Sequence, residues 1–201
     1  MLRHTARRAT NSAIRRVILC GIVVGALSTL LVSCNSYTEL SRAIDQAESL
    51  AEENPNKALE IISNIDKSQL RSNEIKARYA LIYSEVSYYN RMLVNSDSLT
   101  RIAVAYYDKS NHHHERARAY FQHGMTLQLA GALPEAILAL REAHNSLDKY
   151  KDNRLEGVVY RLEGDIYRAS YLYRNSYNAY VEALQCFERE NLPYHTHYTL
   201  Y

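Results

Sequence analysis

Apolar residues along this chain fall into two regimes. Residues 17–33, VILCGIVVGALSTLLVS, are almost wholly apolar, and the sequence turns polar at Cys34-Asn35-Ser36. Beyond that break, large and small residues recur over a long period. The stretch ARAYFQHGMTLQLAGALPEAILALREAHNSLDKY, residues 117–150, carries Tyr120, Gly124, Leu127, Gly131, Ala136, Leu140 and Ala143. In residues 157–190, a step of 40 further on, Tyr160, Gly164, Tyr167, Ser176, Tyr180 and Ala183 take the corresponding places. Shifted back by 38, so do Ile82, Val86, Tyr89, Ser98, Ile102 and Ala105, with Leu93 where the turn glycine would be. Another step of 40 toward the start, Ala58, Ile62 and Ile65 match the second half of the unit, while residues 37–53 match its first half poorly.

The unit is two helices long. Its small residues let two helices approach closely, and its large ones fill the space between them. One such pair cannot bury its apolar face alone, so neighbours must stack. The spacing predicts four pairs, eight helices in all, at approximately 37–66, 79–110, 117–150 and 157–190, within a helical domain spanning 34–190.

The order large, small, large, turn glycine, then small, large, small resembles the tetratricopeptide repeat. That resemblance covers essentially residues 37–190. It implies an all-α fold, a right-handed superhelix of antiparallel helical hairpins (an α-solenoid), whose first helices line a concave groove. The groove positions of such a repeat map to Ala80, Tyr83, Ser87, Asn90 and Arg91 in the second pair. They map to Arg118, Phe121, Met125, Gln128 and Leu129 in the third, and to Val158, Arg161, Asp165, Arg168 and Ala169 in the fourth. Aromatic, methionine and arginine side chains are what peptide-binding surfaces use. The candidate groove is therefore Tyr83, Asn90, Arg91, Arg118, Phe121, Met125, Gln128, Arg161, Asp165 and Arg168, with a protein or peptide as partner. The paired lysine and asparagine clamp for a C-terminal carboxylate is not reproduced, so that ligand is not implied.

The front of the chain has the form of an export signal. Residues 1–16 hold five arginines and no acid, and the apolar run follows. Basic residues keep the start of the chain on the cytoplasmic side while the apolar run enters the bilayer. Leu31-Val32-Ser33-Cys34 resembles a bacterial lipobox, which implies cleavage after Ser33 and lipidation of Cys34. Several acyl chains then hold the protein on a membrane. The competing reading is an uncleaved anchor helix. The resemblance places the domain in the periplasm of a bacterial cell envelope. Asn35, where an inner-membrane retention aspartate would stand, tilts the anchor toward the outer membrane.

Removing residues 1–33 also reverses the charge. The whole chain has 24 basic and 22 acidic residues, a net of +2. Without the five arginines of the front, 19 basic and 22 acidic residues remain, a net of −3, so nucleic-acid binding is not expected. Of three cysteines, Cys20 leaves with the signal and Cys34 is lipidated, which leaves Cys186 without a disulfide partner. It falls near the end of a second helix, where a small buried residue is expected. Six glycines and three prolines are few for an all-β protein.

The remaining chemistry is sparse. His112-His113-His114 could not all face one ion from a single helix, because neighbours point about 100° apart. His123, Glu163 and Glu85 are expected at a partly exposed edge of the repeat. Of the 18 tyrosines, Tyr89, Tyr120, Tyr160, Tyr167 and Tyr180 fall on core positions of the repeat, and Tyr83, Tyr88, Tyr171, Tyr173 and Tyr177 lie off the pattern. No glycine-rich phosphate loop or nucleophile elbow occurs, so neither an enzyme nor a cofactor or metal is expected.

After Glu190, NLPYHTHYTLY reads as the start of a further helix over 191–201, with Pro193 in its first turn. Its aromatic stripe is unsuited to a closing helix, and the chain is expected to continue past Tyr201. The function expected is a non-enzymatic, membrane-anchored scaffold. It resembles the sensing region of envelope regulators. The alternative is an outer-membrane lipoprotein that captures nutrients or glycans.

Overall fold

The computed structural model describes residues 37–92, 96–193 and 199. The signal segment, Cys34, Leu93 and the tyrosine stripe Tyr194, Tyr198 and Tyr201 lie outside the described residues. The chain divides into two compact units at Ala43 and Ile44. Of the first, residues 37–43 are described, and they are helical. The second opens with helical residues 44–50 (α1). It continues with α2 (Pro55–Ser63), a 3-10 turn at Lys67–Gln69, α3 (Asn73–Tyr89), α4 (Ser98–Tyr107), α5 (His113–Leu129), α6 (Leu133–Leu147), α7 (Asn153–Ala169) and α8 (Tyr173–Arg189). The described residues are thus all-helical, with no strand.

Local sequence sets the helix starts. Asn54 accepts from Lys57 N at 3.2 Å, with Pro55 opening α2. Ser72 Oγ accepts from Ile75 N at 3.1 Å, and Asp152 Oδ1 from Leu155 N at 2.9 Å. Each satisfies an amide that the first turn leaves without a helical partner.

Neighbouring helices pack closely in succession: α3 on α4, α5 on α6 and α7 on α8. The three first helices have 17 residues each and begin at Asn73, His113 and Asn153, in even steps. Burial repeats with them. Ala77, Ala117 and Gly157 are buried, as are Ser84, Gly124 and Gly164, and then Val86, Thr126 and Ile166. The second helices follow the same step, burying Thr100, Ala103 and Tyr107 where α6 buries Leu140, Ala143 and Leu147. α8 buries Ala183 and Phe187 at the equivalent places. In α2, Ala58 and Ile62 are fully buried.

From the second pair to the fourth the period is therefore 40, and the second pair stands two residues away from the register its sequence suggests. Its small position is Ser84, not Val86. The left-handed residue that ends α3 is Arg91 (φ 55°), in line with Gly131 (φ 78°) and Tyr171 (φ 59°). The same 6→1 bond closes all three ends, from Met92 N to Ser87 O, Ala132 N to Leu127 O and Leu172 N to Tyr167 O, each 2.9 Å. Ile102, placed in the core by the shift of 38, is 44% exposed, while its neighbour Ala103 is buried.

The cause is that α3 lacks the glycine that marks the crossing point in α5 and α7. Nearly every residue from Tyr79 to Ser87 is buried, so no polar face marks the phase of that helix. The link from α3 to α4, residues 90–97, is also longer than the links 130–132 and 170–172.

Candidate functional site

The first helices share one face, and a pocket of about 340 Å³ opens on it. Glu48 comes from α1, and Glu52 and Glu53 from the turn after it. Glu85, Tyr88 and Tyr89 come from α3, and His114, Arg118 and Phe121 from α5. Asp152, Arg154, Leu155 and Val158 come from the start of α7. The even step between repeats explains the assembly. Glu85, Tyr88 and Tyr89 stand in α3 where Met125, Gln128 and Leu129 stand in α5.

The pocket is held together by charge. Arg118 donates from Nε to Glu85 Oε1 at 2.7 Å, from Nη2 to Glu85 Oε2, and from Nη1 to Glu48 Oε1 at 2.6 Å. Its side chain is 16% exposed and that of Glu85 10%. Burial alone would lower the Arg118 pKa, but Glu85 and Glu48 outweigh it and hold the pKa above its ordinary value. Arg154 pairs with Glu52 across 102 residues of sequence. Burial, reinforced by the Glu52 charge, pushes the Tyr89 hydroxyl up to about 12. Tyr88 sets its ring edge-on to Phe121, with centroids 6.3 Å apart at 87°.

The ten sequence candidates separate. Arg118 and Phe121 line the pocket, and Phe121 is only 6% exposed. Arg161 lies outside the lining but donates from Nη2 to the Tyr88 hydroxyl at 3.4 Å. Met125 and Gln128 are half-buried farther along α5. Asp165 accepts from the Tyr180 hydroxyl at 2.7 Å and from Arg168 at 3.1 Å, and Arg168 is exposed. The second-pair candidates fall outside the pocket lining. Tyr83 packs its ring 5.7 Å from Tyr79. Asn90 Nδ2 donates to Pro55 O and Val86 O, both at 2.8 Å, which ties α3 to α2. Arg91 is the exposed turn residue. With the period of 40 their equivalents are Leu81, Tyr88 and Tyr89. The signal that finds them is the unbroken step from one repeat to the next.

Three other expectations meet the structure. Glu85 is buried and not at an exposed edge, because Arg118 donates to both of its carboxylate oxygens. His123 Nδ1 lies 3.0 Å from Thr100 Oγ1, and burial holds its pKa below the ordinary value. In the histidine tract, His112 precedes α5, and His114 stacks on Tyr150 with Nε2 3.1 Å from Asp152 Oδ2. Among the described residues no cluster of histidine, cysteine and carboxylate side chains forms a metal-sized site, and no helix is long and apolar enough to cross a membrane.

No protein-family model, curated protein or solved structure matches this chain.

Proposed function

We propose that this protein is a membrane-anchored scaffold of the tetratricopeptide type, with its helix pairs wound into a right-handed superhelix and a peptide segment of a partner bound on the face of its first helices. The observation that carries the reading is the pocket to which α1, α3, α5 and α7 all contribute. A site drawn from every first helix is what stacked pairs provide and what a single pair cannot. Its aromatic and arginine lining is the composition of peptide-binding surfaces. The lipobox-like Leu31-Val32-Ser33-Cys34 supports lipid anchorage in the envelope, with the domain in the periplasm. Service as the sensing part of an envelope regulator rests on the resemblance alone.

Glycan capture keeps one observation in its favour. Tyr171, Tyr173 and Tyr177 stand 78%, 65% and 69% exposed around the start of α8. Purified protein tested against random dodecapeptides and against soluble oligosaccharides separates the two readings. Saturable peptide binding lost in Tyr89→Ala supports the scaffold. Saturable sugar binding lost in Tyr173→Ala, with no peptide bound, replaces it. For the anchor, Cys34→Ala abolishes incorporation of radiolabelled palmitate, and unchanged labelling refutes lipidation at that residue.

A further inference from the structure

The pocket between α1, α3, α5 and α7 has a one-sided charge. Five carboxylates line it (Glu48, Glu52, Glu53, Glu85 and Asp152) against two guanidiniums, Arg118 and Arg154, an excess of three formal negative charges among these seven groups. The two arginines are already engaged. Arg118 directs Nε and both Nη atoms at Glu85 and Glu48, and Arg154 is held by Glu52. An incoming anion would therefore meet no uncommitted cation in the lining and a surplus of like charge. On the carboxylate side acceptors remain. Glu48 and Glu52 each present a second oxygen, and Glu53 makes no ion pair among the described residues.

The uncharged part of the lining is also specific. Tyr88 and Tyr89 set their rings 5.3 Å apart, and Phe121, Leu155 and Val158 line the same pocket. Aromatic faces attract cations, and an apolar wall accepts the methylene stem behind a charged head. At about 340 Å³ the space lies at the small end of ligand pockets, and suits one long side chain rather than a folded partner.

We infer that the pocket selects a lysine or arginine side chain of the bound peptide, its stem along Phe121 and Val158 and its cationic head among Glu48, Glu52 and Glu53. This deepens the peptide-binding reading above and rests on it. A basic partner segment also complements the mature chain, whose formal charge is −3 without residues 1–33.

The test uses the full-length chain in non-ionic detergent, labelled at the tyrosine ring carbons, with Tyr88 and Tyr89 signals assigned by Tyr88→Phe and Tyr89→Phe. The probes are four acetylated tripeptide amides, Gly-Xaa-Gly, with arginine, lysine, leucine or glutamate at the centre. The arginine and lysine probes should shift both ring signals saturably, and at least about tenfold more tightly than the glutamate probe. Glu53→Gln, which breaks no described pair, should weaken the arginine probe about threefold, and added salt should weaken it further. Equal binding of the glutamate or leucine probe overturns the basic selectivity while leaving peptide binding in place. No shift with any of the four overturns the pocket as a side-chain site. The dodecapeptide measurement separately decides whether peptides bind at all.

Discussion

Tyr180 lies over Gly164 so closely that a methyl group on that glycine would sit 2.5 Å from Tyr180 Cε1. The same relation recurs one repeat earlier, where a methyl on Gly124 would lie 2.8 Å from Leu140 Cδ2. At the other end of α7 a methyl on Gly157 would lie 2.4 Å from Phe187 Cε1. The three sites differ in how easily the neighbour yields. Phe187 and Leu140 are fully buried and Tyr180 is half-buried, but the Leu140 methyl stands farther off than the ring atoms at the other two sites and has the least to give. Overpacking costs about 1–3 kcal/mol, and alanine regains about 1 kcal/mol over glycine within a helix. Gly157→Ala should therefore lose roughly 2 kcal/mol by urea unfolding, Gly164→Ala roughly 1, and Gly124→Ala close to none. The reverse order would contradict this account of the crossings.

Arg118 should matter for folding before it matters for binding. Removing it strands Glu85, whose side chain is 10% exposed. Breaking a buried pair in this way costs about 3–5 kcal/mol, so Arg118→Met should lose about 3 kcal/mol, the low end, because Glu48 is better solvated. Adding Glu85→Gln to it should restore more than half of that loss. A double-mutant cycle in urea measures the coupling, and additive effects would mean that the two side chains act independently.

Asp152 makes the start of α7 sensitive to acid. Its hydrogen bond with His114, and secondarily that from Leu155 N, hold its carboxyl below the ordinary value of 3.8. Ionisation thus favours the folded state. The stabilisation is complete above the ordinary value and disappears as pH falls through the lower folded one. Asp152→Asn keeps an N-cap and should flatten the stability profile below about pH 4. Asp152→Ala should lose about 1 kcal/mol at neutral pH as well. Thermal unfolding followed by circular dichroism across the acid range up to neutrality checks both, and an unchanged acid slope in the asparagine variant rejects the assignment.

The register of α4 can be tested by two neighbouring substitutions. Ile102→Lys should change stability by less than about 0.5 kcal/mol, as exposed sites do. Ala103→Lys buries a charge and should leave the chain unfolded or near it. If the lysine at 102 were the damaging one, the shorter spacing of 38 would be right and the helix rotated from its place here.

That pair of residues shows what the amino-acid pattern revealed and what it concealed. The third and fourth helix pairs were readable because Gly124 and Gly164, Gly131 at the turn, and Ala143 and Ala183 mark their crossings with residues few other roles would choose. The second pair uses Ser84 and Arg91 where the third has Gly124 and Gly131. Neither announces a close approach or a left-handed turn, so Val86 and Leu93 competed for the places. The register carries into the pocket: Tyr88 and Tyr89 line it where the shift of 38 points to Asn90 and Arg91, and Arg118 and Phe121 of the well-marked third pair line it too. Glu48, Glu52 and Arg154 were out of reach, since the meeting of Glu52 with Arg154 spans 102 residues, which no local spacing encodes.

The bridge from Glu52 to Arg154 has a mechanical consequence. It fastens the beginning of the helix row to its last member, with α3 and α5 between. Any bending that splays the row must first part these two side chains, whereas bending that tightens it leaves them together. Because both are partly solvated, the latch holds with little force.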